Sequence, residues 1–207
     1  MDKRSEASFA KYKEFIQRYI SVNILEWKIF TSKLSIKKFK KNETILYQGD
    51  VCKELYFINS GLVRAYILDE NGKDFTWTIF FNDQNSHVTN LFVVDYQSFL
   101  EQKPATIYIE ALEDTELVCV SYKDVEFLYN NFKKWERFGR LMSEAAYRYL
   151  HKQTIERQCK SADERFLLFM DETPHLLEKV PQYHIATLLG ITPQHLSRLK
   201  KRINIGE

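Results

Sequence analysis

The sequence predicts an α+β chain in which a run of short strands is bracketed by helices, and three observations carry that reading. Apolar stripes at helical spacing occupy two separate stretches: Phe9, Tyr12, Phe15, Ile16 and Tyr19 near the start, and Trp135, Phe138, Met142, Ala145 and Tyr149 past the middle. Between them, from Ile36 to Tyr122, short runs rich in Ile, Val, Phe, Tyr and Thr alternate with turn signals, which is the texture of an antiparallel roll or barrel. Near the end, Pro181 to Arg202 reads as two short helices joined by a tight turn.

In chain order, Ser5 to Ile20 fits one helix and Leu25 to Leu34 a second, shorter one. Lys37-Lys38-Phe39-Lys40-Lys41 is a charge run expected at a solvated edge. Strands are expected at Thr44–Tyr47, Leu55–Ile58, Leu62–Leu68, Phe75–Phe81, Ile107–Ala111 and Leu117–Ser121. Turns such as Gln48-Gly49-Asp50, Asn59-Ser60-Gly61 and Asp69-Glu70-Asn71-Gly72 separate the earlier ones. From about Lys123 the pattern returns to helix, and the Trp135–Tyr149 stripe, with Lys152 next in line, suits packing on the roll or on a second copy of the same helix. Ser161-Ala162-Asp163-Glu164 has the form of a capping box opening a helix over Arg165 to Asp171. The expected organisation is residues 1–122 as a roll with N-terminal helices, 123–160 as a dimerisation helix region, and 161–207 as a terminal helical unit.

The terminal pair is the most informative stretch. Pro181 suits a first helical turn, and Ile185, Leu188 and Leu189 share a face. Gly190 stands where a chain leaving a helix often needs φ > 0. Thr192 is placed to cap the next helix, with Pro193 at its first position. That second helix buries Leu196, Leu199 and Ile203, while Gln194, Ser197, Arg198 and Lys201 fall on the other face. Ala186 is small where the two helices cross. Such a helix-turn-helix places its second helix in the major groove. Arg198 can take guanine O6 and N7 bidentately and Gln194 can take adenine N6 and N7, while Lys200, Lys201 and Arg202 suit phosphates. The expected DNA-contacting set is Thr192, Gln194, His195, Ser197, Arg198, Lys200, Lys201 and Arg202. An ordinary helical hairpin with a solvated basic face would carry similar residues.

Composition bounds the classes. With 44% hydrophobic and 28% charged residues in 207, the chain can bury a sizeable core. A net charge of +2 does not imply nucleic-acid binding, so the basic patch must be local, and the last helix supplies one. No uncharged apolar run reaches membrane-span length, and the charged N-terminus does not resemble a signal peptide, so a reducing cytoplasm is the expected compartment. Cys52, Cys119 and Cys159 are far apart, odd in number and without metal-ligand spacing; they read as structural, and no cofactor is expected.

The order helix, roll, long helix, helix-turn-helix resembles the Crp/Fnr family of bacterial transcription regulators over nearly the whole chain. Gly49-Asp50 followed by Leu55-Tyr56-Phe57-Ile58-Asn59-Ser60-Gly61-Leu62-Val63-Arg64 is similar to the family's first roll signature. Ala111 to Leu117 resembles the turn that closes the roll, and Ser161-Ala162-Asp163-Glu164-Arg165-Phe166 the start of the DNA-binding domain. The resemblance implies a jelly-roll-like double-stranded β-helix as an effector sensor, a dimerising helix and a winged helix-turn-helix. It also implies two-fold symmetric operators, with RNA polymerase as a further partner. The expected dimer interface is Trp135, Phe138, Met142, Ala145 and Tyr149. Base-reading positions carry over to Pro193, Gln194 and Arg198, and Arg198 alone keeps the family's usual residue type. His175 to Val180 is short for a hairpin wing, so a reduced wing is expected.

The family's cyclic-nucleotide-binding members use an Arg for the phosphate and a Gly-Glu pair for the ribose. Counting back from Ala111-Leu112-Glu113-Asp114 puts Ala105 at the Arg position, and residues 82–90 hold no Gly-Glu. Lys103 is nearby, but an ammonium is a poor copy of a bidentate guanidinium. No ordinary cAMP binding is expected, and the effector is not named by the sequence. The stretch from Ser86 to Leu100 carries Phe92, Tyr96 and Phe99, aromatics that more often belong to a core than to a ligand cage. A cupin-like enzyme would need His and Glu clustered on the strands, and His87 is alone in the roll; its plain reading is a surface or hydrogen-bonded histidine. A roll that acts through protein contacts alone would have no use for the recognition helix.

Overall fold

The computed structural model describes residues 3–83 and 90–202, with side chains from Ser8 onward. Two helices, α1 (Lys3–Gln17) and α2 (Ile24–Thr31), precede the strands β1 (Leu34–Phe39), β2 (Thr44–Leu46), β3 (Glu54–Ser60), β4 (Leu62–Leu68), β5 (Asp74–Phe81) and β6 (Phe92–Val93). A short helix α3 (Tyr96–Glu101) leads into β7 (Tyr108–Ala111) and β8 (Thr115–Ser121). The remainder is helical: α4 (Tyr122–Asn131), α5 (Lys133–Cys159), α6 (Ala162–Glu172), α7 (Leu176–Lys179), α8 (Gln182–Leu188) and α9 (Pro193–Arg202).

The strands form two antiparallel four-stranded sheets, ordered β1-β8-β3-β6 and β2-β7-β4-β5. Apart from the β4–β5 hairpin, successive strands alternate between the sheets, which is the winding of a jelly roll. Gly61 makes the β3–β4 turn possible: its φ is +102°, and a Cβ there would lie 2.3 Å from Thr115 Oγ1. The roll's interior is filled by Tyr56, Ile58, Val63, Ala65, Phe80, Val93, Ile109 and Leu117.

The β2-β7-β4-β5 sheet is covered on both faces. Leu62, Val63, Arg64 and Ala65 are all buried, as are Ile79, Phe80 and Phe81. Val63, Ala65 and Phe80 point into the roll. Leu62, Ile79 and Phe81, with Leu112, instead join an outer core with Phe166, Leu176, Val180, Ile185, Ala186, Leu189, Leu196 and Leu199. Burying each large apolar side chain there contributes about 1.5–3 kcal/mol before entropy is counted. The C-terminal helices are therefore seated on the outside of the roll.

The stripe expected at a dimer interface divides. Trp135 and Phe138, 3% and 7% exposed, are spent on a core with Phe9, Tyr12, Ile16, Phe30 and Phe57, and Met142 packs against its edge. Trp135 stacks on Phe30 with ring centroids 4.1 Å apart. These two side chains have no surface left for a partner, because the N-terminal helices take the place that periodicity left open. Ala145 is half-buried and Tyr149 is 38% exposed.

Other boundaries also shift. Leu34 and the first lysines of the charge run belong to β1, where Lys37 and Lys38 pair with Glu54 and Glu116. The helix expected from Lys123 is broken at Phe132 (φ −140°, ψ 104°) into α4 and α5. His175–Val180, read as a reduced wing, contains one helical turn, and among the described residues no strand follows β8. His87, with the rest of Gln84–Thr89, and Ile203 lie outside the described residues.

Candidate nucleic-acid interface

The terminal unit begins with a complete capping box: Ser161 Oγ accepts from the Glu164 N–H, and the Glu164 carboxylate accepts from the Ser161 N–H at 2.8 Å. Arg165 then reaches across, its Nε donating to the Leu189 carbonyl at 3.1 Å and its Nη1 to the Lys160 carbonyl at 2.6 Å. Those bonds fix α6 against the end of α8. Pro181 sits at the cap position, one residue before α8 proper. Helix α8 ends in a Schellman motif: Ile191 N–H donates to the Ala186 carbonyl, Gly190 N–H donates to the Thr187 carbonyl, and Gly190 has φ +67°. Thr192 Oγ1 accepts from the His195 N–H at 3.2 Å and caps α9. The turn thus follows from local backbone chemistry at Gly190, Thr192 and Pro193.

Within α9, Leu196 and Leu199 are fully buried, while Gln194, Arg198, Lys201 and Arg202 are exposed and His195, Ser197 and Lys200 are half-buried. Gln194 and Arg198 stand one turn apart on the exposed face. Lys200, Lys201 and Arg202 occupy the last turn, where cations also complement the helix dipole. Two members of the expected set have partners within the chain. Arg202 Nη2 pairs with Asp163 Oδ2 at 2.8 Å, and His195 Nε2 lies 3.8 Å from Asp163 Oδ1, so both lean toward the start of α6. Thr192 is exposed, with its hydroxyl engaged in capping.

Helix α8 packs on both α9 and β5. The seam between α8 and the roll is polar at its centre. Arg64, 5% exposed, pairs through Nε with Glu110 at 2.6 Å and through Nη2 with Asp74 at 2.5 Å, and its Nη1 lies 2.5 Å from His184 Nδ1 on α8. Thr187 Oγ1 accepts from the Thr76 N–H at 3.1 Å and bonds the Thr76 hydroxyl at 3.0 Å. Tyr183 donates to the Asp74 carbonyl. This seam was not legible as a site. Arg64 was visible as part of a roll signature, but its partners lie 10, 46 and 120 residues away.

The segment around Ala105 is built on α3. Ala105 is buried, and its backbone pairs with Gly49 and Asp50. Asp95, also buried, caps α3: one carboxylate oxygen accepts from the Ser98 N–H at 3.1 Å and the other from the Thr106 N–H at 3.2 Å. A fixed carboxylate therefore already occupies the amides beside Ala105. The Asp95-x-x-Ser98 spacing before a short apolar helix was the signal that could have found it. Lys103 is turned outward to Glu101 at 2.9 Å. Phe99 is buried with Cys52, Val120 and Val125, and Phe92 packs on Tyr12, Phe15 and Phe57. Burial pushes the Cys52 thiol up to about 11 and the Cys119 thiol up to about 12. No described helix is long and apolar enough to cross a membrane.

The architecture is a jelly roll carrying a helix-turn-helix on its outer face. Residues 36–132 match the family model for the cyclic nucleotide-binding domain. Over 99 residues the chain is 29% identical to the cAMP-activated global transcriptional regulator CRP of Salmonella typhimurium, and equally to that of Escherichia coli; the match covers 48% of this chain and 43% of those proteins. The chain thus spans less than half the length of these curated relatives. The FixK2 structure from Bradyrhizobium japonicum superposes with a TM-score of 0.66 at 18% identity, covering 83% of this chain and 85% of that one. A crp/fnr-family protein from Eubacterium rectale gives 0.67 at 18% identity, covering 97% and 88%. At those identities the structural likeness speaks for the fold, here over nearly the full chain. The chain shares the fold of the Crp/Fnr regulators to which it is similar, with a cyclic nucleotide-binding-type roll followed by a helix-turn-helix.

Proposed function

We propose that this chain is a homodimeric, sequence-specific DNA-binding transcription regulator in the cytoplasm, with residues 161–207 as the reader, 123–160 as the dimerisation region and 1–122 as a sensor domain that does not bind cAMP. The observation that carries the reading is α9: its apolar side is sealed by Leu196 and Leu199, while Gln194, Arg198 and Lys201 stand free on the opposite face. Two such helices must meet half-sites about 34 Å apart on a two-fold symmetric duplex. Pairing falls to the distal half of α5, where Tyr147, Leu150 and Ile155 are 70%, 46% and 47% exposed beside Ala145 and Tyr149. Contact with RNA polymerase and a small-molecule effector other than cAMP are compatible with this arrangement. Mapping the DNA bound by the chain across its genome tests the reading; the expected result is a recurrent inverted-repeat site, and uniform recovery of sequence would contradict it.

A cyclic nucleotide brings a phosphate that needs a cation, and this roll offers the Ala105 methyl beside the Asp95 carboxylate. Titration calorimetry with cAMP is expected to show no saturable heat. A micromolar dissociation constant would contradict the proposal.

A further inference from the structure

The terminal unit is docked on the roll by an apolar core and a polar cluster. Leu62, Ile79 and Phe81 of the roll share a core with Leu176, Val180 and Ile185, and Arg64 lies on the same sheet, in β4. The guanidinium is held by Asp74 and Glu110 from its own sheet, and its remaining arm reaches His184 on α8. That arm crosses between the two units.

An arginine presents N–H donors and no acceptor. The 2.5 Å contact therefore requires the lone pair on His184 Nδ1 and the proton on Nε2. A charged imidazole would place N–H against N–H and a second cation beside the guanidinium. We propose that His184 is a proton-operated latch between the DNA-reading unit and the roll, closed while the ring is neutral and opened when it is charged.

Charges of both signs face the ring. Asp74 Oδ2 lies 3.9 Å from Nδ1, and Asp74 and Glu110 both favour the charged form. Arg64 opposes it. Tyr183 neighbours the ring on α8, and Lys41, Glu178 and Lys179 line the adjacent cleft with it. Burial first, and then the Arg64 charge, outweigh the carboxylates and hold the ring below the ordinary imidazole range. The undocked unit therefore takes up the proton first. Docking is at full strength above about pH 6.5 and weakens as pH falls through that value toward the depressed one.

Thr76 provides the readout, because its N–H donates to Thr187 Oγ1 across the same seam. Hydrogen-exchange protection of that amide, corrected for intrinsic rate, is measured by NMR in the full chain. Between about pH 7.5 and pH 5.5 it is expected to fall in the native protein, by up to about the tenfold that an ordinary undocked imidazole allows. It is expected to fall clearly less in His184→Asn, whose neutral amide oxygen can accept from Arg64 in place of Nδ1, with burial of His175 accounting for what fall remains. His175 is a second imidazole in the dock, with its ring 5.0 Å from that of Phe81, so His175→Gln is the control and is expected to keep the fall. No fall in the native protein, a fall of equal size in His184→Asn, or its loss in His175→Gln overturns the proposal. If His184→Asn does not fold, the ring's own titration by proton NMR decides: a midpoint below that of a free imidazole supports the latch, and one at or above it overturns it.

Discussion

Arg64→Ala is expected to lower the free energy of unfolding by about 3–5 kcal/mol, because it removes one partner of a buried ionic cluster and leaves the others in place. Asp74 and Glu110 would then face each other at the foot of α8 without a cation, and His184 would lose its hydrogen bond. The guanidinium also lies 4.2 Å above the Tyr66 ring, so packing is lost with the charge. Arg64→Met, which restores most of the volume, is expected to recover little, since the carboxylates remain uncompensated. Denaturant midpoints of the two variants check this. A loss below about 1 kcal/mol would place Arg64 among ordinary surface pairs and contradict its burial.

Trp135→Ala is expected to cost a similar amount, about 3–5 kcal/mol, as large aromatic deletions in sealed cores do. Its ring stacks on Phe30 and meets the edge of Phe138, so the cavity would open between α1, α2 and α5. If the native protein sediments as the proposed two-chain species, the folded variant is expected to do the same. A variant with native unfolding stability but only single chains would instead return Trp135 to the partner interface that its spacing first suggested.

Local chemistry makes much of the terminal helical unit legible. Gly190, Thr192, Pro193 and the Ser161 capping box each demand a particular backbone state, and each adopts it. The roll was legible as well, since strands of alternating or β-branched residues ended at turns the chain uses, and β4 occupies Leu62–Leu68 as expected. What periodicity cannot say is which surface covers a stripe. Trp135 and Phe138 share a helical face, but nothing local says that α1 and α2 fill it. The same gap hid the dock: Leu62 and Phe81 read as strand residues, and the helices that cover their outer face lie about a hundred positions later. The break at Phe132 carries no Gly or Pro to announce it. Asp95 does not stand out in the sequence because a capping carboxylate is a common device, and its reach to Thr106 exists only once α3 and β7 are in place.

The central claim is that the exposed face of α9 reads bases, and Arg198 tests it most directly. It stands one turn after Gln194, opposite Leu196 and Leu199, where a guanidinium can meet guanine O6 and N7. Binding of Arg198→Ala and Lys201→Ala to operator and scrambled duplexes, each at two salt concentrations, is the deciding measurement. Arg198→Ala is expected to lose about 1–3 kcal/mol on the operator alone and to relax preference at one base pair per half-site. Lys201→Ala is expected to weaken both duplexes alike and to flatten the salt dependence, as a phosphate contact does. Equal losses on operator and scrambled DNA for Arg198→Ala would contradict its role as a base reader.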